Sequence, residues 1–277
     1  MWSRSERRKM RGVRPTAVAG LFYPDEPGPL RRLVDRFLDE AVAEEATVAP
    51  KAILAPHAGY PYSGPIAGSA FEPWRPLAGR VERVVVIGPS HHVPLRGLAL
   101  PEADCFDSPL GQVELDLEAA EALLELPQVR IDARPHEREH ALEVEVPFLQ
   151  QVLGSFRLVP LVVGQAEPAE VADVLERLWD GDETRLVVSS DLSHFLGYTA
   201  ARSSDEATAR DILERKDTLR PQQACGAAAI NGLNHLAPRL DLEAKLLDLR
   251  NSGDTAGGRD RVVGYGAFTF STAGGRS

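Results

Sequence analysis

The sequence predicts an α/β fold with a mostly parallel sheet and helices on both of its faces. Three short runs rich in Val, Ile and Leu, at residues 51–55, 83–88 and 185–190, each predict a strand that is covered on both faces. Segments with helical spacing of apolar residues alternate with these runs, which is typical of a parallel sheet with crossover helices. Each run then breaks at Pro, Gly or Ser and is followed by a histidine.

The first half of the chain continues this alternation. Residues 28–45 have apolar residues at helical spacing after a Pro/Gly start, and a short helix is expected near 64–71. An apolar run near 97–100 predicts another strand. Residues 116–126 (DLEAAEALLEL) predict a helix that Pro127 ends.

The second half shows the same pattern. Residues 139–153 predict a helix that Pro147 kinks or effectively starts, because proline lacks the amide hydrogen that an interior turn needs. RLVPLVVG at 157–164 predicts a strand. The remaining predicted elements are a helix at 167–180 with Pro168 in its first turn, helices near 203–216 and 221–236, and a closing strand at 262–270.

The length and composition of the chain indicate one large α/β domain. Its 277 residues are 43% apolar, which is an ordinary value for a globular protein, and no composition break divides them. We predict a single domain over residues 15–277 after a frayed basic tail at residues 1–14. The tail lacks the apolar stretch of a secretory signal, and no apolar run is long enough to span a membrane.

Charge and cysteine content exclude several classes of protein. The net charge of −10 repels phosphate backbones, and no basic stripe with interleaved aromatic residues is present, so nucleic acid is not an expected partner. The cysteines are Cys105 and Cys225 alone, which is too few for a disulfide framework. Because this usage fits a reducing compartment, we expect a cytoplasmic protein.

Histidines follow the three predicted strands as His57, the adjacent pair His91 and His92, and His194. In open α/β sheets, ligands bind beyond the carboxyl ends of the strands. Imidazole is the commonest protein metal ligand and titrates near neutrality. These positions predict one site built from distant parts of the chain. Taken alone, His57 fits a loop histidine that is hydrogen-bonded to the backbone better than it fits a ligand.

Several blocks of this sequence resemble the Memo family, whose prokaryotic members are called AmmeMemoRadiSam system protein B. The blocks are APHAGY, GPSHHVP, HALEVEVPF, VVSSDLSH and ACG, together with AGLFYPDEPGPL near the start and VVGYGAFTF near the end. They stand in the family's order over residues 15–270. The resemblance implies a fold similar to class III extradiol dioxygenases, which are non-haem Fe(II) enzymes. That fold is a three-layer α/β/α sandwich with a central mixed, mostly parallel sheet.

The resemblance also implies a metal site in which a cysteine replaces the carboxylate of the dioxygenase triad. The matching motifs place His57, His91 and Cys225 as the ligands, with Cys225 in the late helical segment. A thiolate with imidazoles favours Fe(II), copper or zinc. Taken alone, Cys225 fits a small buried hydrophobe. Beside two imidazoles, we expect the pKa of its thiol to be depressed.

Further residues are assigned around these ligands. His194 falls where the dioxygenases keep an acid/base histidine, and Asp191 either orients a ring or caps the next helix. His136 lies in a charged segment beside a proline and is expected on the surface. The residues that the motifs place in the pocket or behind the ligands are Phe22, Tyr23, Tyr60, Tyr62, His92, His140 and Glu143.

Three functions use the same residues. The first is a dioxygenase-like oxidoreductase with Fe(II) or copper, in which His194 moves protons. The second is a non-catalytic binding protein that captures an anionic or phosphorylated ligand through protonated histidines. The third is a hydrolase that activates water with its metal. The family's name implies a radical-SAM protein and an AMMECR1-like protein as partners in one pathway, beside a small-molecule or phosphorylated ligand.

Overall fold

A mixed sheet forms the middle layer of the structure, and helices pack on both of its faces. The computed structural model describes residues 12–42, 49–179 and 181–272. The strands are β1 Val13–Arg14, β2 Ala52–Ala55, β3 Arg83–Pro89, β4 Leu98–Leu100, β5 Cys105–Phe106, β6 Val113–Glu114, β7 Val129–Ile131, β8 Arg157–Val163, β9 Thr184–Ser189, β10 His194–Leu196, β11 Leu242–Asn251 and β12 Val262–Thr272. The α-helices are α1 Pro27–Asp39, α2 Tyr60–Phe71, α3 Leu117–Leu123, α4 Arg134–Glu137, α5 Val146–Leu153, α6 Pro168–Arg177, α7 Tyr198–Leu213 and α8 Ala227–Leu236. Short 3-10 helices lie at Glu72–Leu77, Glu143–Glu145, Ala237–Leu240 and Ser252–Asp254.

The centre of the sheet is parallel. Strands β2, β9, β3 and β8 lie side by side in that order, and each neighbouring pair runs parallel. On the flanks, β12 joins β2 antiparallel and β4 joins β8 antiparallel, while β10 and β11 pair antiparallel with β12. The predicted α/β class with a central mixed sheet is confirmed. Because the central strands are parallel, the loops that follow β2, β3 and β9 meet at one edge of the sheet.

Two apolar cores, one on each face of the sheet, give the sandwich its three layers. Successive strand residues point to opposite faces. In β3, Val84 and Val86 pack into one core, whereas Val85 and Ile87 pack into the other. Helices α1, α2 and α5 cover the first core, and α3, α6, α7 and α8 cover the second. Burial on both faces explains why these strands appear as nearly continuous apolar runs in the sequence.

Most predicted elements are present with shifted ends. The helix predicted at 28–45 ends at Asp39, and residues 43–48 lie outside the described part of the chain. The short helix near 64–71 already starts at Tyr60, and the helix near 203–216 spans Tyr198–Leu213. None of the helices within the described ranges is both long and apolar enough to cross a membrane.

The helix predicted at 139–153 begins later than its apolar pattern suggests. Its α-helical turns are those of α5, which follow the 3-10 helix Glu143–Glu145. Pro147 therefore marks the effective start, where its missing amide hydrogen has no helical partner to lose. The residues before it, 138–142, form an irregular loop that brings Glu139 and His140 to the carboxyl edge of the sheet.

The helix predicted near 221–236 also starts late, at Ala227. Cys225 therefore lies in the turn before α8 and not within a helix, which corrects the predicted placement. Strand β11 had no counterpart in the sequence prediction. Its residues alternate only weakly between buried and exposed, so the period-2 signal of a half-buried strand is faint.

The N-terminal segment is part of a second, three-stranded sheet. Strand β1 pairs in parallel with β5, which pairs with β6. Arg14 is buried, forms an ion pair with Glu143, and donates from Nε to the backbone carbonyl of His136 at 3.1 Å. The tail predicted at 1–14 therefore ends before Val13, and residues 1–11 lie outside the described part. The single domain over 15–277 stays a prediction.

Candidate metal centre

The loops after β2, β3 and β9 and the loop before α5 converge at the carboxyl edge of the sheet. Single nitrogen atoms of His57, His91 and His140 all lie within 4.8 Å of one another. The ring centroid of His57 lies 5.2 Å from that of His91 and 5.4 Å from that of His140. The rings of His91 and His140 stack at 4.7 Å. The structure thus forms a cluster of three imidazoles that is suited to hold a metal ion.

His140 occupies a different place from the one that the motifs suggest. The sequence places it behind the ligands, whereas the structure gives it the same access to the centre as His57 and His91. The cause is the irregular loop 138–142. In a regular helix over 139–153, the position of the His140 ring would instead be set by the helix axis. Burial lowers the pKa of His140 to about 4, so its ring is uncharged and has a lone pair to offer at neutral pH.

Glu139 lies behind two of these rings and was not predicted. Its carboxylate accepts hydrogen bonds from the backbone N–H of His91 at 2.7 Å and from Nδ1 of His91 at 2.8 Å. Burial alone would raise the pKa of Glu139, but the contacts with His91 lower it to about 2. Burial alone would likewise lower the pKa of His91, and the bond and charge of Glu139 raise it instead. Only the adjacency of Glu139 to His140 in the sequence hinted at this role.

His57 is the buried member of the cluster. Its side chain is held between Ser189 Oγ, 2.8 Å from Nδ1, and Cys225 Sγ, 3.2 Å from Nε2. Its backbone N–H donates to the Asp191 carboxyl group at 2.9 Å. Burial, followed by the charges of His140 and the other neighbouring imidazoles, lowers the pKa of His57 well below its usual range. A ring that stays neutral can accept a metal ion on its free nitrogen.

Cys225 contacts His57 but is not part of the three-imidazole cluster. Besides His57 Nε2, its sulfur accepts the backbone N–H of Asp191 at 3.3 Å. Burial and the Asp191 carboxyl group raise the pKa of the Cys225 thiol to about 12. The expectation of a depressed pKa is therefore wrong for the metal-free protein, because burial and the charge of Asp191 outweigh the hydrogen bonds that would lower the pKa of the thiol. Its role as a metal ligand stays a prediction.

Asp191 and His194 lie on the same loop beyond β9. The Asp191 carboxyl group is buried and accepts the backbone N–H groups of His57 and Ala58, and burial raises its pKa to about 7. It does not cap a helix, since α7 begins only at Tyr198. His194 donates from Nδ1 to the carbonyl of Leu192 at 2.8 Å, and burial lowers its pKa. Its Nε2 therefore has a free lone pair.

Aromatic residues and Glu143 surround the cluster at different depths. The ring of Phe22 lies 5.0 Å from that of His140, whereas Tyr62 is 42% exposed. The hydroxyl of Tyr60 donates to the carbonyl of Val144 at 2.7 Å, a bond within the core. Four groups donate to the carboxylate of Glu143: the backbone N–H of Ala17 at 2.7 Å, that of Val18 at 3.0 Å, the hydroxyl of Tyr23 at 2.7 Å and the guanidinium of Arg14. Glu143 thus anchors the N-terminal segment.

His92 and His136 take opposite environments. His92 is exposed, and its ring lies 6.4 Å from that of His91 and 6.3 Å from that of His140. His136 is buried at 2% exposure and bonds through Nε2 to the carbonyl of Ala99, so its expected surface position is wrong. The proline beside it starts the short helix α4 on the inside of the fold.

A cleft of about 700 Å³ opens beside the cluster. Its walls include His91, His92, Gln165, Cys225 and Asn231. No lysine or arginine is among the described residues that line it. A small molecule in this cleft can reach His91 and Cys225, and the walls around it consist of amide, imidazole and apolar groups.

Comparison with known proteins supports the resemblance. A family model described as "Memo-like protein" matches residues 14–269. The chain is 33% identical over 274 residues to a "MEMO1 family protein" of Aquifex aeolicus. The aligned region covers 93% of this chain and 99% of that protein. A "MEMO1 family protein" of Archaeoglobus fulgidus is 32% identical over 273 residues, with the same coverage. The matched span includes every loop that contributes to the imidazole cluster, and the chain belongs to the Memo family.

Proposed function

We propose that this protein binds one Fe(II) or copper ion at the imidazole cluster and acts as a dioxygenase-like oxidoreductase. The observation that carries the proposal is the convergence of His57, His91 and His140, whose ligand nitrogens lie within 4.8 Å of one another. Because the pKa values of His57 and His140 are lowered, their rings would offer lone pairs at neutral pH. Imidazole suits iron, copper and zinc, so zinc would bind the same donors.

The donor set fits a redox-active metal. The three imidazoles are nitrogen donors, and the thiol of Cys225 lies close enough to His57 Nε2 to add a soft donor on loss of its proton. A metal ion in place would itself lower the pKa of that thiol, because a coordinating thiol is deprotonated. When bound, iron or copper would supply electron exchange between the substrate and O₂.

His194 is the residue that we propose to move a proton. Because its Nδ1 donates to the carbonyl of Leu192, its Nε2 is the nitrogen that is free to accept. Burial lowers its pKa, so the ring is neutral near pH 7 and able to act as a base. Asp191 would assist by holding the backbone of His57, and its pKa of about 7 lets it take up or release a proton near neutrality.

The cleft favours an uncharged small molecule as the substrate. A phosphorylated ligand would meet imidazoles but no lysine or arginine in the described walls. Those imidazoles include His91, whose pKa is raised, but the Glu139 carboxylate would balance the positive charge of a protonated His91. We therefore rank the capture of a phosphorylated ligand second. We further propose a cytoplasmic location and a shared pathway with a radical-SAM protein and an AMMECR1-like protein, on the support of family membership and of the unpaired cysteines.

The test is metal content and oxygen use. Protein purified without oxygen should hold one Fe or Cu ion per chain, and single alanine variants of His57, His91 and His140 should each lose it. The matched control is His235→Ala, which removes a histidine that pairs with Asp217 away from the cluster. Metal binding that survives all three cluster variants contradicts the proposal. Metal-loaded protein that consumes no O₂ with any aromatic diol, but binds a phosphorylated ligand, would favour the binding protein.

A further inference from the structure

Ser189 lies at the end of β9, on the far side of His57 from Cys225. Three polar atoms surround its hydroxyl oxygen: the carbonyl oxygen of Ala141 at 2.6 Å, Oε1 of Glu145 at 2.7 Å and Nδ1 of His57 at 2.8 Å. All four residues are buried, and Glu145 has 0% exposure. Buried polar atoms at such distances are expected to be paired by hydrogen atoms.

Counting hydrogen atoms decides how these four groups are bonded. The hydroxyl of Ser189 has one hydrogen and can accept two more bonds. The carbonyl of Ala141 can only accept, so the serine hydrogen belongs on that contact, which is also the shortest. The other two contacts are hydrogen bonds only if His57 donates from Nδ1 and Glu145 donates from a protonated carboxyl group.

A charged Glu145 would leave this arrangement incomplete. One of the contacts of Ser189 with Ala141 and Glu145 would then bring two oxygens together with no hydrogen between them. The second carboxyl oxygen, Oε2, has no hydrogen-bond partner, and no ion pair joins Glu145 to a cation in the described part of the chain. Burying an unpaired carboxylate is far more costly than burying a neutral acid. In agreement, burial raises the pKa of Glu145 well above its ordinary value.

We propose that Ser189 and Glu145 are positioning residues for His57. The neutral acid of Glu145 donates to Ser189, Ser189 donates to Ala141, and Ser189 thereby accepts from Nδ1 of His57. This bonding holds His57 in the tautomer whose free lone pair is on Nε2, the nitrogen that faces Cys225. The inference rests on the proposed metal site, but the tautomer and the protonated acid belong to the metal-free protein.

Glu139 provides the contrast that makes the inference specific. It lies six residues before Glu145 in the sequence, is also buried, and is an anion with a pKa of about 2 because it bonds directly to His91. The two glutamates therefore orient two imidazoles in opposite ways. Glu139 accepts a hydrogen bond from His91 as an anion, whereas Glu145 acts on His57 through Ser189 as a neutral donor. The cluster gains one negative charge from them and not two.

The decisive measurements use the metal-free protein. At alkaline pH, where ordinary carboxyl groups and Asp191 are ionised, the infrared spectrum should retain the carbonyl stretch of a protonated carboxylic acid. This band should vanish in Glu145→Gln and persist in the matched control Glu139→Gln. Nitrogen NMR of the labelled histidines should show His57 protonated on Nδ1 in the wild type and in Glu145→Gln, whose amide N–H replaces the acid as donor. Glu145→Met, similar in length but without a donor, should show a mixture of tautomers, as should Ser189→Ala.

Metal affinity gives the second readout, with Co(II) as the probe. Ser189→Ala should weaken Co(II) binding roughly 10–100-fold, the usual effect of removing a partner that orients a metal-binding histidine. Glu145→Gln should bind more tightly than Glu145→Met. The inference is overturned if the acid band is absent from the wild type or unaffected by Glu145→Gln, or if His57 carries its hydrogen on Nε2. Should wild-type protein bind no Co(II), the proposed function fails, whereas the infrared and NMR results still decide the role of Ser189 and Glu145.

Discussion

At the scale of single residues, the centre depends on Glu139 as much as on the imidazoles. Besides its bonds to His91, this carboxylate accepts the backbone N–H groups of His140 and Ala141, each at 3.0 Å. One buried side chain thus orients the ring of His91 and shapes the loop of His140. A carboxylate bonded to the rear nitrogen of a histidine fixes both the tautomer and the direction of a metal ligand.

We predict that Glu139→Gln weakens metal binding roughly 10–100-fold. A neutral amide has one acceptor oxygen in place of two and lacks the charge that holds His91. The control is Glu137→Gln, two residues earlier on the exposed side of the same segment, which should bind as the wild type does. Titration with Co(II), followed by its absorption, measures both variants. Equal affinities in the two variants would contradict the role given to Glu139.

We also predict that His194→Gln keeps the metal but loses turnover. His194 is outside the three-imidazole cluster, so the metal-to-protein ratio should stay at the wild-type value. Without a base, O₂-dependent turnover should fall roughly 10²–10⁴-fold. His235→Gln, which changes a half-exposed histidine that pairs with Asp217 away from the cluster, is the control. Loss of the metal in His194→Gln would make His194 a ligand, and unchanged turnover would remove its role in proton transfer.

The sequence predicted the histidines of the site better than it predicted the residues that bond to them and orient their rings. His57 and His91 each follow an apolar run, so local pattern and sheet topology are enough to bring them together. Ser189 lies 132 residues from His57, and Glu139 lies 48 residues from His91. Such pairs depend on the packing of separate loops, and no short-range pattern encodes them. Glu145 is a further example, because a glutamate within a predicted helix resembles any solvent-exposed charge.

At the scale of elements, the apolar pattern located the central strands but not the breaks that shape the site. The pattern at 139–153 is helical throughout, yet Pro147 limits the regular turns to α5 and frees the loop that holds His140. The turn before α8 shows the same limit, since Cys225 looked helical from its neighbours. Pro147 marks the first break in the sequence itself, whereas the helical pattern predicted near 221–236 gives no sign of the second.

We predict that Gly226→Ala disturbs this turn. A Cβ atom at Gly226 would lie 2.6 Å from Cβ of Ser190 and 2.7 Å from the carbonyl oxygen of Ser189, so the start of α8 would have to move away from β9. Such overpacking costs about 1–3 kcal/mol of unfolding free energy. Gly258→Ala is the matched control, because no atom lies within 4 Å of the added Cβ. Urea unfolding should separate the two variants, and equal stabilities would show that the turn yields without cost.

At the scale of the whole molecule, the sandwich holds several histidines in neutral form. Burial lowers the pKa of His57 and of His194, and lowers the pKa of His136 and His140 to about 4. His91, whose pKa is raised, acts in the opposite direction. Where the native pKa is lowered, the unfolded chain binds more protons than the folded one between the two values. Folding stability is then fully present above pH 6.5 and is lost as the pH falls towards 4.

His136 allows this acid sensitivity to be measured away from the metal centre. Its ring is 2% exposed, bonds to the carbonyl of Ala99 through Nε2, and has no partner for Nδ1. A pKa lowered to about 4 corresponds to a loss of about 3 kcal/mol of unfolding free energy between pH 6.5 and pH 4. In His136→Gln, the amide N–H can keep the bond to Ala99 without titrating, so stability should fall about 3 kcal/mol less over this range. His235→Gln, at a half-exposed histidine, controls for the loss of a histidine as such. Urea unfolding of metal-free protein at several pH values measures the slopes, and an unchanged slope in His136→Gln would show that His136 is protonated without unfolding the core.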